Sequence, residues 1–240
     1  MATVMVMDLE KNVATLQDRL DRLLEQQKTD GRGRILVALA GVPGSGKTTV
    51  SSALLASLAR NGRSREDVVV VPMDGFHHTK ATLASFSDPD MAFRRRGAPF
   101  TFDADGLLDL IASLKAGPLT AGPDSGEEEL IFTAPSFDHA VQDPVADDIR
   151  ISSRSKVVII EGNYTLLNER PWNKIAELVH ERWFVDVPPE VAKERLVLRH
   201  LAAGIETSRE AAAHRAEEND LPNGDLIRSN LIEPDVRIVN

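Results

Sequence analysis

The run Gly41-Val42-Pro43-Gly44-Ser45-Gly46-Lys47-Thr48 fills every fixed position of the pattern G-x-x-x-x-G-K-[ST]. Glycines at these spacings let the backbone curl until successive N–H groups point inward at phosphate oxygens. A helix opening at Lys47, Thr48 and Thr49 would add the partial positive charge of its N-terminus. Lys47 can then reach the β- and γ-phosphates of a nucleotide, and Thr48 offers a hydroxyl to Mg²⁺. This defines a binding site for nucleotide phosphates and leaves the reaction open.

Three further features bear on the reaction. Asp74 lies in Pro72-Met73-Asp74-Gly75-Phe76-His77, just after an apolar run of four valines, Val68–Val71. A carboxylate at that edge can accept the proton of an attacking hydroxyl, or it can simply cap the next turn. Glu161 closes Val157-Val158-Ile159-Ile160, where a carboxylate approaches Mg²⁺ through water or helps place a substrate. Arg195 and Arg199 are four residues apart and share one face of a helix. On a lid, such arginines close over phosphates; otherwise they form a solvated face with internal Glu–Arg pairs. The lid role is the better expectation for Arg199, while Arg195 fits either.

These residues need a scaffold of strands and helices. Ile35–Ala40 reads as a strand buried on both faces, because it is continuously apolar. Thr48–Arg60 is a helix closed by Asn61-Gly62, and Leu107–Lys115 is another, ended by Gly117-Pro118. Further strands are expected over Arg182–Val187 and Val236–Val239. Further helices are expected over Pro171–Val179, over Glu190–Ala203 with Gly204 behind it, and from a Thr207 cap to about Asn219. Alternation of strand and helix predicts a parallel sheet covered on both faces. Two long connections, Thr79–Asp105 and Gly117–Lys156, interrupt it. In the second, Gly122–Glu129 reads as an exposed tip, and Leu130–Thr133 with Ile149–Ile151 reads as a hairpin arm carrying Pro135–His139. The expected organisation is an N-terminal helix within residues 1–30, followed by one α/β domain over 31–240 with a lid near 190–220.

The N-terminal helix, Met7–Gln27, has Leu9, Val13, Leu16, Leu20 and Leu23 at spacings of three and four, and Asp30–Gly33 breaks it. Its stripe either packs on its own domain, the better expectation, or pairs with a second copy to give a homodimer. Asp plus Glu exceed Lys plus Arg by 37 to 28, a net charge of −9, so broad nucleic-acid binding is not expected. The chain has no cysteine, which excludes disulfides and thiolate chemistry. No apolar run matches a membrane span, and the N-terminal residues lack the apolar core of a secretory leader, so a cytoplasmic setting is expected.

Taken together, the P-loop, Pro72–His77, Arg95-Arg96-Gly97-Ala98-Pro99-Phe100-Thr101-Phe102-Asp103, Pro135-Ser136-Phe137-Asp138-His139 and Ile159-Ile160-Glu161-Gly162-Asn163-Tyr164 resemble the P-loop kinases of the uridine kinase, pantothenate kinase and phosphoribulokinase family. The nearest resemblance is to the group holding fructose-transport-operon kinases and fungal ATP-dependent kinases, and it runs from about Arg34 onward. It implies a three-layer α/β/α fold on a parallel sheet of five strands, with a helical lid and a small hairpin arm. It also implies Mg-ATP as phosphoryl donor, a small-molecule hydroxyl as acceptor, and Asp74 as general base. His77, Arg96, Asp103, His139, Glu161 and Tyr164 are then expected in or near the acceptor pocket. Arg94 and Arg95 read instead as a solvated charge run. Asn219–Asn223 also matches the nearest group and reads as a loop beside the lid. Tyr164 is the chain's single tyrosine, so the tyrosine-rich acceptor segments of uridine and pantothenate kinases are not recovered.

Overall fold

The computed structural model describes residues 2–30, 33–62 and 67–240. Helix α1 (Ala2–Asp30) leads into strand β1 (Ile35–Gly41) and helix α2 (Lys47–Arg60). Residues 31 and 32 of the expected helix break lie outside the described residues. Strand β2 (Val68–Pro72) is followed by a 3₁₀ turn (Met73–Phe76), short helices α3 (Lys80–Ala84) and α4 (Pro89–Arg94), and α5 (Ala104–Ala116). Strands β3 (Ile131–Asp138) and β4 (Asp143–Ser152) form the arm. Then come β5 (Val157–Gly162), α6 (Ile175–Leu178), β6 (Glu181–Asp186), α7 (Pro189–Ala202), α8 (Arg209–Arg215), α9 (Leu221–Ser229) and β7 (Val236–Val239).

The main sheet has five strands, all parallel, in the order β2-β5-β1-β6-β7. Alternate residues of β1 face opposite sides. Leu36, Ala38 and Ala40 pack with α5 and Trp172, whereas Ile35, Val37 and Leu39 pack with α1 and α2. The α/β/α layering expected from the apolar strands is therefore present. The apolar run of four valines forms β2, but as an edge strand, so Val69 and Val70 are only partly covered.

Val13, Leu16, Leu20 and Leu24 of α1 are buried against α2 and the sheet. Gln17 accepts a hydrogen bond from Ser57 at 2.8 Å, and Arg19 pairs with the buried Glu181. Each such apolar side chain contributes about 1.5–3 kcal/mol. These side chains of the stripe are thus used inside their own domain.

The turn of the arm falls at 139–142, where Gln142 has φ 59°. Gly122–Glu129 is an exposed approach to the arm rather than its tip. Two features seat the arm. Buried Arg34 donates to the carbonyls of Leu114, Pro118, Ser152, Ser153 and Ser155 and lies over the Phe132 ring at 5.1 Å. In the 3₁₀ turn, a Cβ on Gly75 would stand 1.9 Å from the Pro135 carbonyl oxygen, so only glycine allows the arm to approach.

The C-terminal helices depart from expectation. Ser208, not Thr207, caps α8 by accepting from Ala211 N–H at 3.1 Å. The helix does not stop near Asn219: Arg209–Ser229 runs on through a π-helical turn, Ala216–Asp220, into α9. Asn219–Asn223 is therefore helical, and its two asparagines are buried rather than in a loop.

Candidate active site

Parallel strands deliver their C-terminal ends to one edge, where ligands of open α/β sheets bind. The P-loop leaves β1, Glu161 stands at the end of β5, and Asp74 follows β2. Leu39 and Pro72 both pair in register with Glu161. The strand order thus places Glu161 between Asp74 and the P-loop, which no sequence spacing reveals.

Gly44 (φ 77°) and Gly46 (φ 85°) hold the left-handed conformations that the loop needs. A Cβ on Gly44 would lie 2.8 Å from the Ala192 carbonyl oxygen, so α7 rests directly on the loop. Lys47 Nζ donates to Asn163 Oδ1 at 2.7 Å and to the carbonyls of Gly41 and Val42. Burial pushes the ammonium down to about 8, opposed by the carboxylates of Glu161 and Asp74 and assisted by the Arg199 charge. Lys47 therefore lies within reach of the charges of both acidic groups and of Arg199 on α7. Asn240 donates to the Ser45 carbonyl at 2.8 Å.

Glu161 is buried, and its two oxygens accept from Thr48 Oγ1 and Ser51 Oγ, both at 2.6 Å. A hydroxyl and a carboxylate side by side are hard oxygen donors that suit Mg²⁺. That ion takes one or two protein ligands and completes its shell with water and phosphate. Among the described residues no cluster of three or more His, Cys, Asp or Glu could hold a metal ion.

Asp74 is half-buried in the 3₁₀ turn. Its carbonyl lies 2.9 Å from His77 Nδ1, and the His77 ring packs on Phe102 (3.9 Å) and Phe137 (4.8 Å). Burial lowers the His77 pKa, with the Asp74 charge opposing it. His139 is exposed at the arm tip, edge-on to Phe137. Arg96 donates to the carbonyls of Gln142 (2.6 Å) and His78 (3.1 Å), pairs with Asp143, and lies over Phe137. Arg96 thus anchors the arm beside the Asp74 turn.

Two expected acceptor residues adjoin this turn with their side chains otherwise engaged: the Asp103 N–H donates to the Phe76 carbonyl at 2.7 Å, and Tyr164 lies behind Phe102. Tyr164 is fully buried; its hydroxyl donates to the Gly97 carbonyl at 2.5 Å and its ring packs on Phe102 and Trp172. It is a core residue, because an apolar sheath with one carbonyl partner leaves no face for a substrate. Asp103 is exposed and caps α5 by accepting from Gly106 N–H at 2.9 Å. Phe102 is likewise core, whereas Phe100 is exposed.

On α7, Arg195 reaches the carbonyls of Gly44 and Ser45 at 3.4 Å. Arg199 is mostly exposed and has Asp220 3.8 Å away. The internal Glu–Arg pair considered for this face is absent, because Glu194 pairs with Arg209 on α8.

Asn163 and Ser51 were not singled out from sequence. Asn163 stands two residues after Glu161, and Ser51 one helical turn after Thr48; those offsets were the available signal. Arg95, read as solvated, instead donates to Asn219 and Asn223.

A P-loop, a neighbouring-strand carboxylate and a helix resting on the loop define a P-loop nucleotide-binding protein. A Schizosaccharomyces pombe protein provisionally named a uridine kinase is 38% identical over 221 residues, covering 92% of this chain and 87% of that one. An Aspergillus versicolor ATP-dependent kinase-like protein is 46% identical over 158 residues, covering 66% of this chain and 88% of that one. The chain belongs to this family of uridine-kinase-like and ATP-dependent P-loop kinases. The structure of a provisionally named fructose transport system kinase from Silicibacter sp. TM1040 superposes with a TM-score of 0.76 at 35% identity, covering 94% of this chain and 98% of that one. The family described as Zeta toxin matches residues 20–85, the stretch holding the P-loop and Asp74. No helix among the described residues is long and apolar enough to cross a membrane.

Proposed function

We propose that the chain transfers the γ-phosphate of ATP to a hydroxyl group of a small metabolite, with Asp74 as general base. The observation that carries this is the shared edge: Asp74 stands one strand beyond Glu161, close enough for its charge to act on Lys47. An acceptor hydroxyl placed beside Asp74 would lie on the γ-phosphate side of the P-loop.

In this mechanism the P-loop amides and Lys47 hold the phosphates, and Arg195 and Arg199 approach from α7. Asp74 takes the hydroxyl proton as the oxygen attacks phosphorus and the bond to the ADP oxygen breaks. Thr48 and Glu161 would hold Mg²⁺, whose contribution when bound is to neutralise charge on the phosphate oxygens. His77, Phe137 and His139 line the acceptor side, with Arg96 keeping the arm in place.

ATP consumption measured against sugars, nucleosides, glycerate and pantothenate-like alcohols tests the proposal. Strong stimulation by one class, with a phosphorylated product, is expected. Slow hydrolysis indifferent to every alcohol would favour an ATP-hydrolysing regulatory protein instead.

A further inference from the structure

Buried amides on a helix are costly unless partnered. Asn219 and Asn223 are 7% and 3% exposed and stand one turn apart. All their partners lie on one loop, the turn after α4. Asn219 accepts from Arg95 Nε at 3.2 Å and donates to the Arg96 carbonyl at 2.9 Å. Asn223 accepts from Arg95 Nη2 at 3.3 Å and donates to the Gly97 carbonyl at 3.3 Å. The next residue along the helix, Asp220, faces α7 instead: its carboxylate lies 3.2 Å from His200 and 3.8 Å from Arg199. Both contacts issue from or adjoin the π-turn, a distortion that recurs at functional sites.

The same loop carries Arg96, which holds the arm over the Asp74 turn. Beside the clasp, the helices do not pack closely: a cleft of about 690 Å³, lined in part by Met91, Arg94, Arg215 and Pro222, separates them. The hydrogen bonds of Arg95, Asn219 and Asn223 join the two elements beside this cleft.

We propose that Arg95, Asn219, Asp220 and Asn223 form a clasp that couples the acceptor-side loop to the lid arginine Arg199. These are positioning residues, and the proposal rests on the transfer function proposed above. Nucleotide drawing Arg199 inward would be felt, through Asp220 and the two asparagines, at the loop that anchors the arm.

Hydrogen–deuterium exchange of the full chain, with and without Mg²⁺ and the non-hydrolysable analogue AMP-PNP, tests this. In the wild type, nucleotide should slow exchange in the P-loop, in α7, and by about tenfold in residues 94–102. In Arg95→Ala, the P-loop and α7 should keep their protection while residues 94–102 lose the nucleotide-dependent part. Arg95→Lys, which keeps charge but not the fork, should behave like Arg95→Ala. Because each variant is compared with itself, with and without nucleotide, a general loosening does not imitate the effect. Equal nucleotide-dependent protection of 94–102 in wild type and variants, or none in the wild type, overturns the clasp. No protection of the P-loop itself would instead overturn the nucleotide site, and the clasp with it.

Discussion

Among single residues, Lys47, the proposed phosphate ligand, stands out for its electrostatics. Its side chain is partly buried, and desolvation lowers its pKa to about 8 from 10.5. Between those values the unfolded chain holds a proton that the folded chain does not, so this group makes stability rise with pH across that window. Phosphate anions restore the charged form. Nucleotide binding is therefore expected to take up a proton, approaching about one per site near pH 9 and falling toward zero at pH 7. Calorimetry in buffers of different ionisation enthalpy measures it. Undiminished uptake in Lys47→Ala would contradict the assignment. Lys47 and Thr48 were plain in the sequence, because their spacing in the glycine loop is rigid. Arg95 and Tyr164 were not. A side chain's partners depend on elements more than 60 residues away, as the Tyr164–Gly97 and Arg95–Asn219 contacts show.

At the scale of the element, the arm is the segment that most depends on single residues. Arg34 satisfies carbonyls from α5, from the approach to the arm and from the end of β4 at once. Arg34→Ala leaves these oxygens buried without a donor, so a loss of about 3 kcal/mol or more is expected. In a chain of this size that is roughly a 6–12 °C drop in Tm, readable by calorimetry. Gly75→Ala acts differently, forcing the 3₁₀ turn away from Pro135 and taking Asp74 with it. Turnover should fall by much more than stability does, and a variant with wild-type turnover would show that the arm need not touch this turn. Strands and most helices were legible because continuous apolar runs and glycine stops mark them. The π-turn and α9 were hidden behind polar residues and Pro222, which directly follows the π-turn, where the regular hydrogen-bond ladder is already interrupted.

For the whole molecule, the sheet order is what turns separate motifs into one site. It seats Glu161 between Asp74 and the P-loop although Asp74 and Glu161 are 87 positions apart in the chain. The order could not be read from the elements alone; the resemblance to P-loop kinases supplied the strand number, and the register supplies the adjacency. α1 closes the opposite face of the sheet. Leu16→Ala or Leu20→Ala should cost about 2–5 kcal/mol by leaving a cavity under α1, without changing the mass measured by light scattering. A mass that fell with these variants would mean that the stripe also serves an interface between copies.

In the proposed function it is Asp74 that makes a phosphotransferase of a nucleotide-binding site. The most direct measurement follows transfer of labelled γ-phosphate to the stimulating alcohol by Asp74→Asn, alongside its affinity for ATP. Affinity should stay close to wild type while transfer falls by about 10²–10⁴. Transfer at the wild-type rate with the same acceptor would contradict it.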